Sequence, residues 1–499
     1  MKAIYKNSGI AENETKKRFC FPENVMMENA AAALEQQVLA QNPEFLLILC
    51  GTGNNGGDGY ALSRRIFGKV KSVLVVAFGE PKTDEAILQR KMSRAVGIKI
   101  IEIKNDEKWN PESILKNFES EKKSLIVDCI YGTGFHGELP ENIAQTLIWC
   151  NARNSYRIAC DIPSGIDKNG NIKTFCKESK IAFCADETVT MGALKIALFT
   201  DEAKDFVGTL KTAGLGISSQ IFEKCAVPDA FLIEETDVKL PLRAKKSVHK
   251  GNFGHAAVVL GEKGGAGIIS GTAALRFGCG LVTLLKTHLC KENFLMSPEL
   301  MISEEIAEKT TAVLVGSGLG RSEEAQKIVQ NVLDFVSDMQ NPCAVFDADF
   351  FYCRNLNAII EKLNGLKNAK IILTPHPKEL CELINSCKIA ENVSLLDVTE
   401  NRFEYAKRFS EKFENITLIA KGANTYIFSG NECFVCDCGT AALAKAGSGD
   451  VLAGLCVALL AQGYSAEDAA ITSVFEHACA GKKFDFNFEC TPFGLIDLL

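Results

Sequence analysis

The sequence lacks the features that mark several large classes of protein. No apolar run reaches the ~18–20 residues that a membrane-spanning helix needs, and the longest lies near 451–461. Positive charge is not in excess, because 55 Lys and Arg stand against 62 Asp and Glu, a formal charge of −7. The chain therefore has no overall attraction to nucleic acid or to a membrane surface, and we expect neither as a partner. It also shows no internal repeat and no low-complexity segment.

Signals of secretion and of a disulfide scaffold are missing as well. The 20 cysteines are scattered through 499 residues, which indicates reduced thiols in a cytoplasmic protein. Cys433, Cys436 and Cys438 cluster, but no second Cys or His pair with zinc-like spacing accompanies them. Their alternation favours a strand over a metal site. Residues 1–19 contain no apolar segment of the signal-peptide type, so we expect no signal peptide.

What the sequence does contain is an alternation of strand and helix patterns. Hydrophobic residues make up 47% and charged residues 23%, a globular balance with room for two to four domains. In the first half, a helix is predicted over 26–41 and another from about Tyr60. The buried strands predicted there are 45–51, 72–78, 124–130, 156–163 and 182–195. This order predicts parallel βαβ units, hence a doubly wound, Rossmann-like parallel sheet domain over residues 1–215.

A second domain is predicted after a less regular segment. Between about Gly214 and Lys250 the pattern loosens, so we place the domain junction there and the second domain at 240–499. A long helix is predicted from about Asp450. The strands predicted in this half are 255–261, 280–285, 312–318, 343–349, 369–376 and 416–422. The second half is therefore also α/β.

Three polar, glycine-rich turns follow strands of the first half. They are GTGNNGGDG at 51–59, DCIYGTGFHG at 128–137 and DIPSGID at 161–167. Because ligands bind at the carboxyl ends of parallel strands, the three turns are expected to form one pocket. The first turn suits an anion but has neither the dinucleotide nor the P-loop spacing. Each aspartate at a strand end is placed to be a base, a cation ligand or a helix cap.

These turns resemble the N-terminal epimerase domain of the bifunctional, YjeF-type NAD(P)H-hydrate repair family, over about residues 1–215. That family interconverts the R and S epimers of NADHX and NADPHX, hydrated forms of the reduced nicotinamide cofactors. The resemblance implies a K⁺ ion held by Asn55, Asp128 and Ser164, with Asp128 or Asp161 as the proton-transferring catalytic group. The substrate contacts that it implies are Asn54, Asn55, Gly56, Gly57, Asp58, Gly132, Thr133, Gly134, Phe135, His136, Gly137, Glu138 and Asp161. Cys129 and Tyr131 depart from the family's usual DG.FG pattern.

The second half has its own set of polar turns. AGSGDVLAG at 446–454 opens a helix, where backbone amides suit an anion and Asp450 is either a base or an N-cap. Lys421 follows a strand and is placed to meet a phosphate. His376, in TPHP, is either a ligand contact or an ordinary histidine. Two more turns, at 316–320 and 347–349, also end predicted strands.

In their order along the chain, HKGNFG (249–254), VGSGLG, DAD, TPHP, KGANT and AGSGDVLAG resemble the C-terminal dehydratase domain of the same family. The match covers about 250–499 and implies a ribokinase-like α/β fold. It implies that Ala266, Gly318, His376 and Asp450 contact the hydrated cofactor. The nucleotide contacts that it implies are Lys421, Gly422, Ala423, Asn424, Thr425, Thr440, Ala446, Gly447, Ser448 and Gly449. Ser317 stands where proline is usual, and Ser448 where threonine is usual.

Both resemblances imply the same substrate, so the hypothesis is a bifunctional isomerase and lyase. The S-hydrate would be dehydrated at the expense of ADP or ATP with Mg²⁺, Asp450 acting as the catalytic base on the ring hydroxyl. We also expect a homo-oligomer. The alternative is a ribokinase-like vitamin-precursor kinase fused to a non-catalytic Rossmann-like binding module. The intact GNNGGDG string, Asp128 and Asp161 favour catalysis.

Overall fold

The structure, a computed structural model, describes residues 1–103, 109–114, 123–172, 174–175, 179–291, 294 and 296–499. The chain divides into two compact units. Residues 3–230 form the N-terminal unit, and residues 231–499 with 1–2 form the C-terminal unit. The division therefore falls within the irregular stretch 214–250. The assignment of one activity to 1–215 and another to 240–499 stays a prediction.

The N-terminal unit is built on a parallel sheet with helices on both faces. Its strands are β1 Lys2–Tyr5, β2 Phe45–Cys50, β3 Ser72–Phe78, β4 Lys99–Ile103, β5 Ser124–Cys129, β6 Tyr156–Cys160, β7 Thr174–Phe175, β8 Ser179–Lys180, β9 Glu187–Met191, β10 Leu194–Lys195 and β11 Thr209–Ala213. Its helices are α1 Gly9–Phe19, α2 Glu23–Ala40, α3 Asn54–Ile66, α4 Asp84–Ala95, α5 Pro111–Ile114, α6 Glu141–Asn151, α7 Lys204–Val207 and α8 Ser219–Glu223. The main sheet has the order β11-β9-β6-β5-β2-β3-β4, and each neighbouring pair is parallel.

Alternate positions of the central strand β2 serve two hydrophobic cores. Ile48 packs in a cluster with Leu34 of α2 and Tyr60 of α3. Its neighbour Leu47 belongs to a second cluster with Leu147 of α6. Because successive side chains of a strand point to opposite faces, both faces of the sheet are covered. The prediction of a doubly wound α/β fold is confirmed.

The C-terminal unit also has a largely parallel sheet. Its strands are β12 Ala230–Leu232, β13 His255–Leu260, β14 Leu281–Lys286, β15 Met301–Ser303, β16 Ala312–Val315, β17 Cys343–Phe346, β18 Lys370–Leu373, β19 Ile416–Ala420, β20 Thr425–Ser429 and β21 Glu432–Cys436. Its helices are α9 Gly264–Arg276, α10 Glu323–Asp338, α11 Leu356–Asn364, α12 Pro377–Ser386, α13 Leu395–Glu400, α14 Arg402–Lys412, α15 Ser448–Ala461, α16 Ala466–Gly481 and α17 Pro492–Asp497. The order is β12-β21-β20-β19-β18-β17-β16-β13-β14-β15, with β20 antiparallel to both of its neighbours. The predicted strands and the long helix near Asp450 are confirmed.

The cysteine-rich segment forms a strand, as its alternation predicted. Cys433 and Cys436 lie in β21 and are buried. Over the part of the chain that the structure describes, no group of three or more His, Cys, Asp or Glu side chains is arranged to hold a metal ion. The described helices also include none that is long and apolar enough to cross a membrane.

The first glycine-rich turn differs from its prediction in one respect. Helix α3 begins at Asn54 rather than near Tyr60, so residues 54–58 are helical. A Cβ atom on Gly56 would lie 2.1 Å from the carbonyl oxygen of Gly51, and one on Gly57 would lie 2.6 Å from the Met27 side chain. The glycines therefore allow close packing of the first helical turn against the preceding strand end and α2.

This packing leads to a stability prediction. We expect Gly56→Ser to destabilise the N-terminal unit by roughly 1–3 kcal/mol or more, because the new Cβ meets backbone that cannot move aside. Gly53→Ser is the matched control, since a Cβ there meets nothing within 4 Å and serine is favoured at an N-cap. Scanning calorimetry measures both. Equal unfolding temperatures for the two variants would contradict the packing argument.

Candidate active sites

A cavity of about 610 Å³ lies at the carboxyl ends of β2, β5 and β6. We call it the N-terminal cavity. Residues from the turns at 51–59 and 128–137 line it together with Asp161, so these turns converge as predicted. The lining residues are Glu12, Thr52, Gly53, Asn54, Asn55, Asp58, Lys82, Thr83, Ile130, Tyr131, Gly132, Thr133, Gly134, Phe135, His136, Glu138, Asp161 and Met191.

Most of the predicted substrate contacts line this cavity, and some do not. Gly56, Gly57 and Gly137 are outside the lining, and the first two are buried within α3. Asp128 and Ser164 also lie outside it, and both are fully buried. Glu12 lines the cavity although nothing in the sequence of α1 singles it out. Which of these residues contact a substrate stays a prediction.

Asn55, Asp128 and Ser164 are linked by a short chain of hydrogen bonds. The Ser164 hydroxyl donates to Asp128 Oδ1 at 2.8 Å, and the Ser164 N–H donates to Oδ2 at 2.8 Å. The Tyr131 N–H donates to the Ser164 hydroxyl at 2.9 Å, while Asn55 Nδ2 donates to the Tyr131 carbonyl at 2.8 Å. The three residues predicted from separate turns are therefore brought together around Tyr131.

Two features of this group fit a cation. Asn55 Oδ1 is buried and has no hydrogen-bond partner within the described residues. Burial raises the pKa of Asp128 to about 6, although the N–H groups of Ser164 and Ile130 oppose the effect. A buried carboxylate and an unpartnered amide oxygen are donors of the type that hard cations prefer. The sequence-based K⁺ assignment is thus chemically compatible with the residues present.

Asp161 occupies an unusual backbone position at the end of β6. Its φ is +70°, in the left-handed region, which costs free energy for a residue other than glycine. Its carboxylate pairs with Lys195 Nζ at 2.7 Å and accepts from the N–H groups of Met191 at 3.2 Å and Thr133 at 3.3 Å. A Cβ on Gly132 would lie 2.8 Å from Asp161 Oδ2, so glycine lets this loop approach the carboxylate. Sequence reasoning missed Lys195, which lies in a strand-like segment without a motif.

A second cavity, of about 260 Å³, lies at the start of α15. We call it the C-terminal cavity. It is lined by residues from three of the predicted turns, at 374–377, 421–425 and 446–449, and by α16. The lining residues are His376, Lys421, Gly422, Thr425, Cys436, Gly439, Leu443, Lys445, Ser448, Gly449, Leu452, Val474, His477 and Ala478.

Lys421 provides positive charge in this cavity. Its ammonium lies 2.9 Å from Asp347 Oδ1 and 3.9 Å from Glu379 Oε2, and a Cβ on Gly449 would lie 3.4 Å from it. The Thr374 hydroxyl donates to Asp347 Oδ1 at 2.7 Å. The lysine thus stands beside the first turn of α15, where free backbone N–H groups favour an anion.

Asp450 lies in that first turn and is mostly buried. Burial, followed by the negative charge of Asp347, raises its pKa to about 6. The Ser270 hydroxyl donates to the Asp450 carbonyl at 2.9 Å, which ties α9 to α15. A carboxyl group with a pKa near 6 is ionised at neutral pH and basic enough to accept a proton.

The remaining predicted residues of the C-terminal unit differ in whether they line the C-terminal cavity. Gly318 lies beside Ala266, since a Cβ added to Gly318 would lie 3.0 Å from Ala266 Cβ. His376 caps α12 and lies 3.0 Å from Glu379 Oε1. His477, absent from the sequence prediction, contacts the Ser448 hydroxyl at 3.1 Å, and burial lowers its pKa to about 4. The predicted residues that do not line the C-terminal cavity are Ala266, Gly318, Ala423, Asn424, Thr440, Ala446, Gly447 and Asp450.

Comparisons with known proteins agree with this division into two sites. Residues 23–197 match a family described as YjeF-related protein N-terminus. Residues 256–493 match a family described as NAD(P)H-hydrate dehydratase. Each match includes the polar turns that line the corresponding cavity.

Some known proteins match this chain over most of its length. The chain is 39% identical to the bifunctional NAD(P)H-hydrate repair enzyme Nnr of Helicobacter pylori, across 100% of this chain and 99% of that protein. It is 33% identical to the Escherichia coli enzyme of the same name, across 87% and 79%. A solved ADP/ATP-dependent NAD(P)H-hydrate dehydratase from Bacillus subtilis, co-crystallised with ATP/Mg²⁺, is similar to 55% of this chain and 97% of its own, with 23% identity and a TM-score of 0.43. The chain belongs to the family of bifunctional NAD(P)H-hydrate repair enzymes.

Proposed function

We propose that this chain repairs hydrated NADH and NADPH by two reactions. The N-terminal unit interconverts the R and S epimers of NADHX and NADPHX. The C-terminal unit dehydrates the S epimer to NADH or NADPH at the expense of ADP or ATP. The observation that carries this proposal is that one chain of this family has two separate cavities, each lined by the turns of one of its two motif sets.

In the N-terminal cavity, we assign the substrate to the surface formed by Asn54, Asp58, the 132–138 turn and Asp161. Asn55, Asp128 and Ser164 are the residues that would hold K⁺ beside it. A bound K⁺ supplies positive charge that offsets the Asp128 carboxylate. Asp128 and Ser164 also fix Tyr131 at the start of the 132–138 turn through the hydrogen bonds described above.

In the C-terminal cavity, Lys421 and the N–H groups at the start of α15 bind the phosphates of the nucleotide. Asp450, in the first turn of α15 beside this cavity, takes the proton from the ring hydroxyl as that oxygen attacks the terminal phosphoryl group. The bond from that phosphoryl group to the rest of the nucleotide breaks, so ADP leaves as AMP or ATP as ADP. Phosphate is a better leaving group than hydroxide, and when the C–O bond breaks with its electron pair on phosphate, the neighbouring ring carbon releases a proton to water and the C=C bond of the dihydronicotinamide is restored. Asp347 and Glu379 offer the carboxylate oxygens that Mg²⁺ prefers, and Mg²⁺ bound with the nucleotide supplies charge neutralisation.

The test is to incubate the full-length protein with a mixture of R and S hydrates and ADP or ATP. Absorbance of the restored dihydronicotinamide reports dehydration, and conversion beyond the initial S fraction reports epimerisation. We expect complete conversion with nucleotide and none without it. Phosphorylation of pyridoxal or hydroxymethylpyrimidine in place of hydrate repair would support the kinase alternative. Size-exclusion chromatography with light scattering tests the expected homo-oligomer.

A further inference from the structure

Lys195 is a buried lysine that has no assigned role in either of the two proposed reactions. It ends β10, only 2% of its side chain is exposed, and it does not line the N-terminal cavity. Its ammonium group lies 2.7 Å from Asp161 Oδ1 and donates to the Met191 carbonyl at 2.8 Å and to Thr190 Oγ1 at 2.9 Å. An ammonium group is buried only where such partners replace water.

These contacts orient the two oxygens of Asp161 differently. Oδ1 faces Lys195 and also accepts the Met191 N–H. Oδ2 lies on the side of Gly132 and Thr133, two residues that line the cavity. The lysine therefore fixes one edge of the carboxylate and leaves the other directed toward the substrate surface.

Asp58 lines the same cavity but, unlike Asp161, has no positively charged partner among the described residues. It is 8% exposed, it makes no ion pair among the described residues, and its Oδ2 accepts from the Cys160 thiol at 3.9 Å. Burial, then the charges of Asp161 and Glu12, raises the pKa of Asp58 well above its ordinary value. Burial also raises the pKa of Glu12, while Lys195 opposes that shift. Carboxyl groups whose environments differ in this way divide into a base and an acid.

We propose that Lys195 is a positioning residue of the epimerase site. Lys195 holds Asp161 as an oriented carboxylate base, and Asp58 acts as the protonated acid in the same cavity. This inference rests on the proposed epimerase function.

The roles give a balanced reaction. In the hydrated substrate, the hydroxyl group is on the ring carbon that is bonded to nitrogen. Asp58 protonates that hydroxyl, the C–O bond breaks with its electron pair remaining on oxygen, and the nitrogen lone pair forms a C=N⁺ bond as water leaves. Water then adds to the opposite face, the C=N⁺ electrons return to nitrogen, and Asp161 takes the released proton. The proton passes back to Asp58 through water, so the reaction consumes no oxidant or reductant.

The decisive variant is Lys195→Met in the full-length protein. Purified R-NADHX is incubated without nucleotide, and the two epimers are separated by chromatography over a range of pH. We expect kcat to fall by about 10–100-fold near neutral pH with KM within about twofold, because loss of the ammonium group removes the partner that fixes Asp161 Oδ1 and so releases the orientation of the carboxylate. Other titratable groups that line the cavity are the same in both proteins: Glu12, Asp58, Lys82, Tyr131, His136 and Glu138.

Two further variants separate positioning from a structural role. Lys211→Met is the matched control, since Lys211 is 43% exposed and pairs with Glu187 at 2.9 Å, and we expect it to keep the wild-type pH profile. Lys195→Arg retains the positive charge beside Asp161 and should recover most of the kcat that Lys195→Met loses. Dehydration of S-NADHX by the same chains, with thermal melting, reports whether they are folded.

The outcomes are distinct. A wild-type kcat in Lys195→Met, a loss that appears in KM rather than kcat, or an equal loss in Lys195→Arg overturns the inference. If Lys195→Met fails to fold, Asp58→Asn decides: it should lower kcat and remove the alkaline limb, and an unchanged profile would reject the acid assignment. A wild-type protein that never epimerises R-NADHX overturns the proposed function together with this inference, whereas a normal wild type with an unaffected Lys195→Met variant overturns the inference alone.

Discussion

Asp450→Asn is expected to reduce dehydration of S-NADHX by about 10²–10⁴-fold while epimerisation continues. The substitution keeps the size of the side chain at the start of α15 but removes its ability to accept a proton, and loss of a general base has effects of this order. The two cavities are in different units, so the N-terminal cavity keeps all of its residues. The rate of absorbance increase with ADP measures dehydration, and chromatography of R and S measures epimerisation.

Asp338→Asn is the control for this variant, because it removes an exposed carboxylate from α10 in the same unit. It should dehydrate S-NADHX at the wild-type rate. Near-wild-type dehydration by Asp450→Asn would remove Asp450 from the mechanism. Equal losses in both variants would show that the assay reports charge or stability rather than a base.

The raised pKa of Asp450 also sets a pH dependence for dehydration. A base must be ionised to act, and burial with the charge of Asp347 raises the pKa of this carboxyl group to about 6. We therefore expect kcat/KM for S-NADHX to level off above pH 6 and to fall toward about tenfold per pH unit below it. A profile measured at saturating nucleotide tests this. An acid limb that persists in the residual activity of Asp450→Asn would assign the titration to another group.

Local sequence patterns predicted the fold better than they predicted the two cavities. Buried parallel strands such as 45–50 and 72–78 are short apolar runs, so hydrophobicity alone locates them closely. The start of α3 was misplaced because glycine and asparagine disfavour helix, while close packing of Gly56 against Gly51 outweighs that preference here. Local propensity and tertiary packing thus disagree at a functional turn.

The missed side chains have a common cause. Glu12 reaches the N-terminal cavity from α1, and Lys195 reaches Asp161 from a two-residue strand. Neither residue belongs to a glycine-rich turn. Each reaches its position near the cavity only through tertiary contacts with segments that are distant in the sequence. The turns themselves were predictable, because they directly follow strands whose carboxyl ends share one edge. Contacts from distant segments leave no such local signal.

Asp128→Asn is expected to abolish most epimerisation while leaving dehydration of the S-hydrate intact. Asp128 is the charged member of the group formed with Asn55 and Ser164, and the neutral amide would bind a cation weakly. Loss of the proposed K⁺ and of an acceptor for Ser164 should also release Tyr131 and the 132–138 turn. We expect R-NADHX to react at least about 10–100-fold more slowly. With mixed hydrates and ADP, NADH formation should stop near the initial S fraction, apart from slow spontaneous epimerisation.

Asp167→Asn is the matched control for this experiment. Asp167 is 6% exposed, accepts the N–H groups of Asn169 at 2.9 Å and Asn171 at 3.0 Å, and does not line the N-terminal cavity. If Asp167→Asn loses as much stability as Asp128→Asn but still epimerises R-NADHX, the lost activity of Asp128→Asn is due to cation binding and not to folding. Replacing K⁺ by choline in the buffer should slow the wild type and the control but have little further effect on Asp128→Asn, because the proposed K⁺ site is already lost in that variant. Complete conversion of R-NADHX by Asp128→Asn at the wild-type rate would contradict both the cation assignment and the catalytic role of this group.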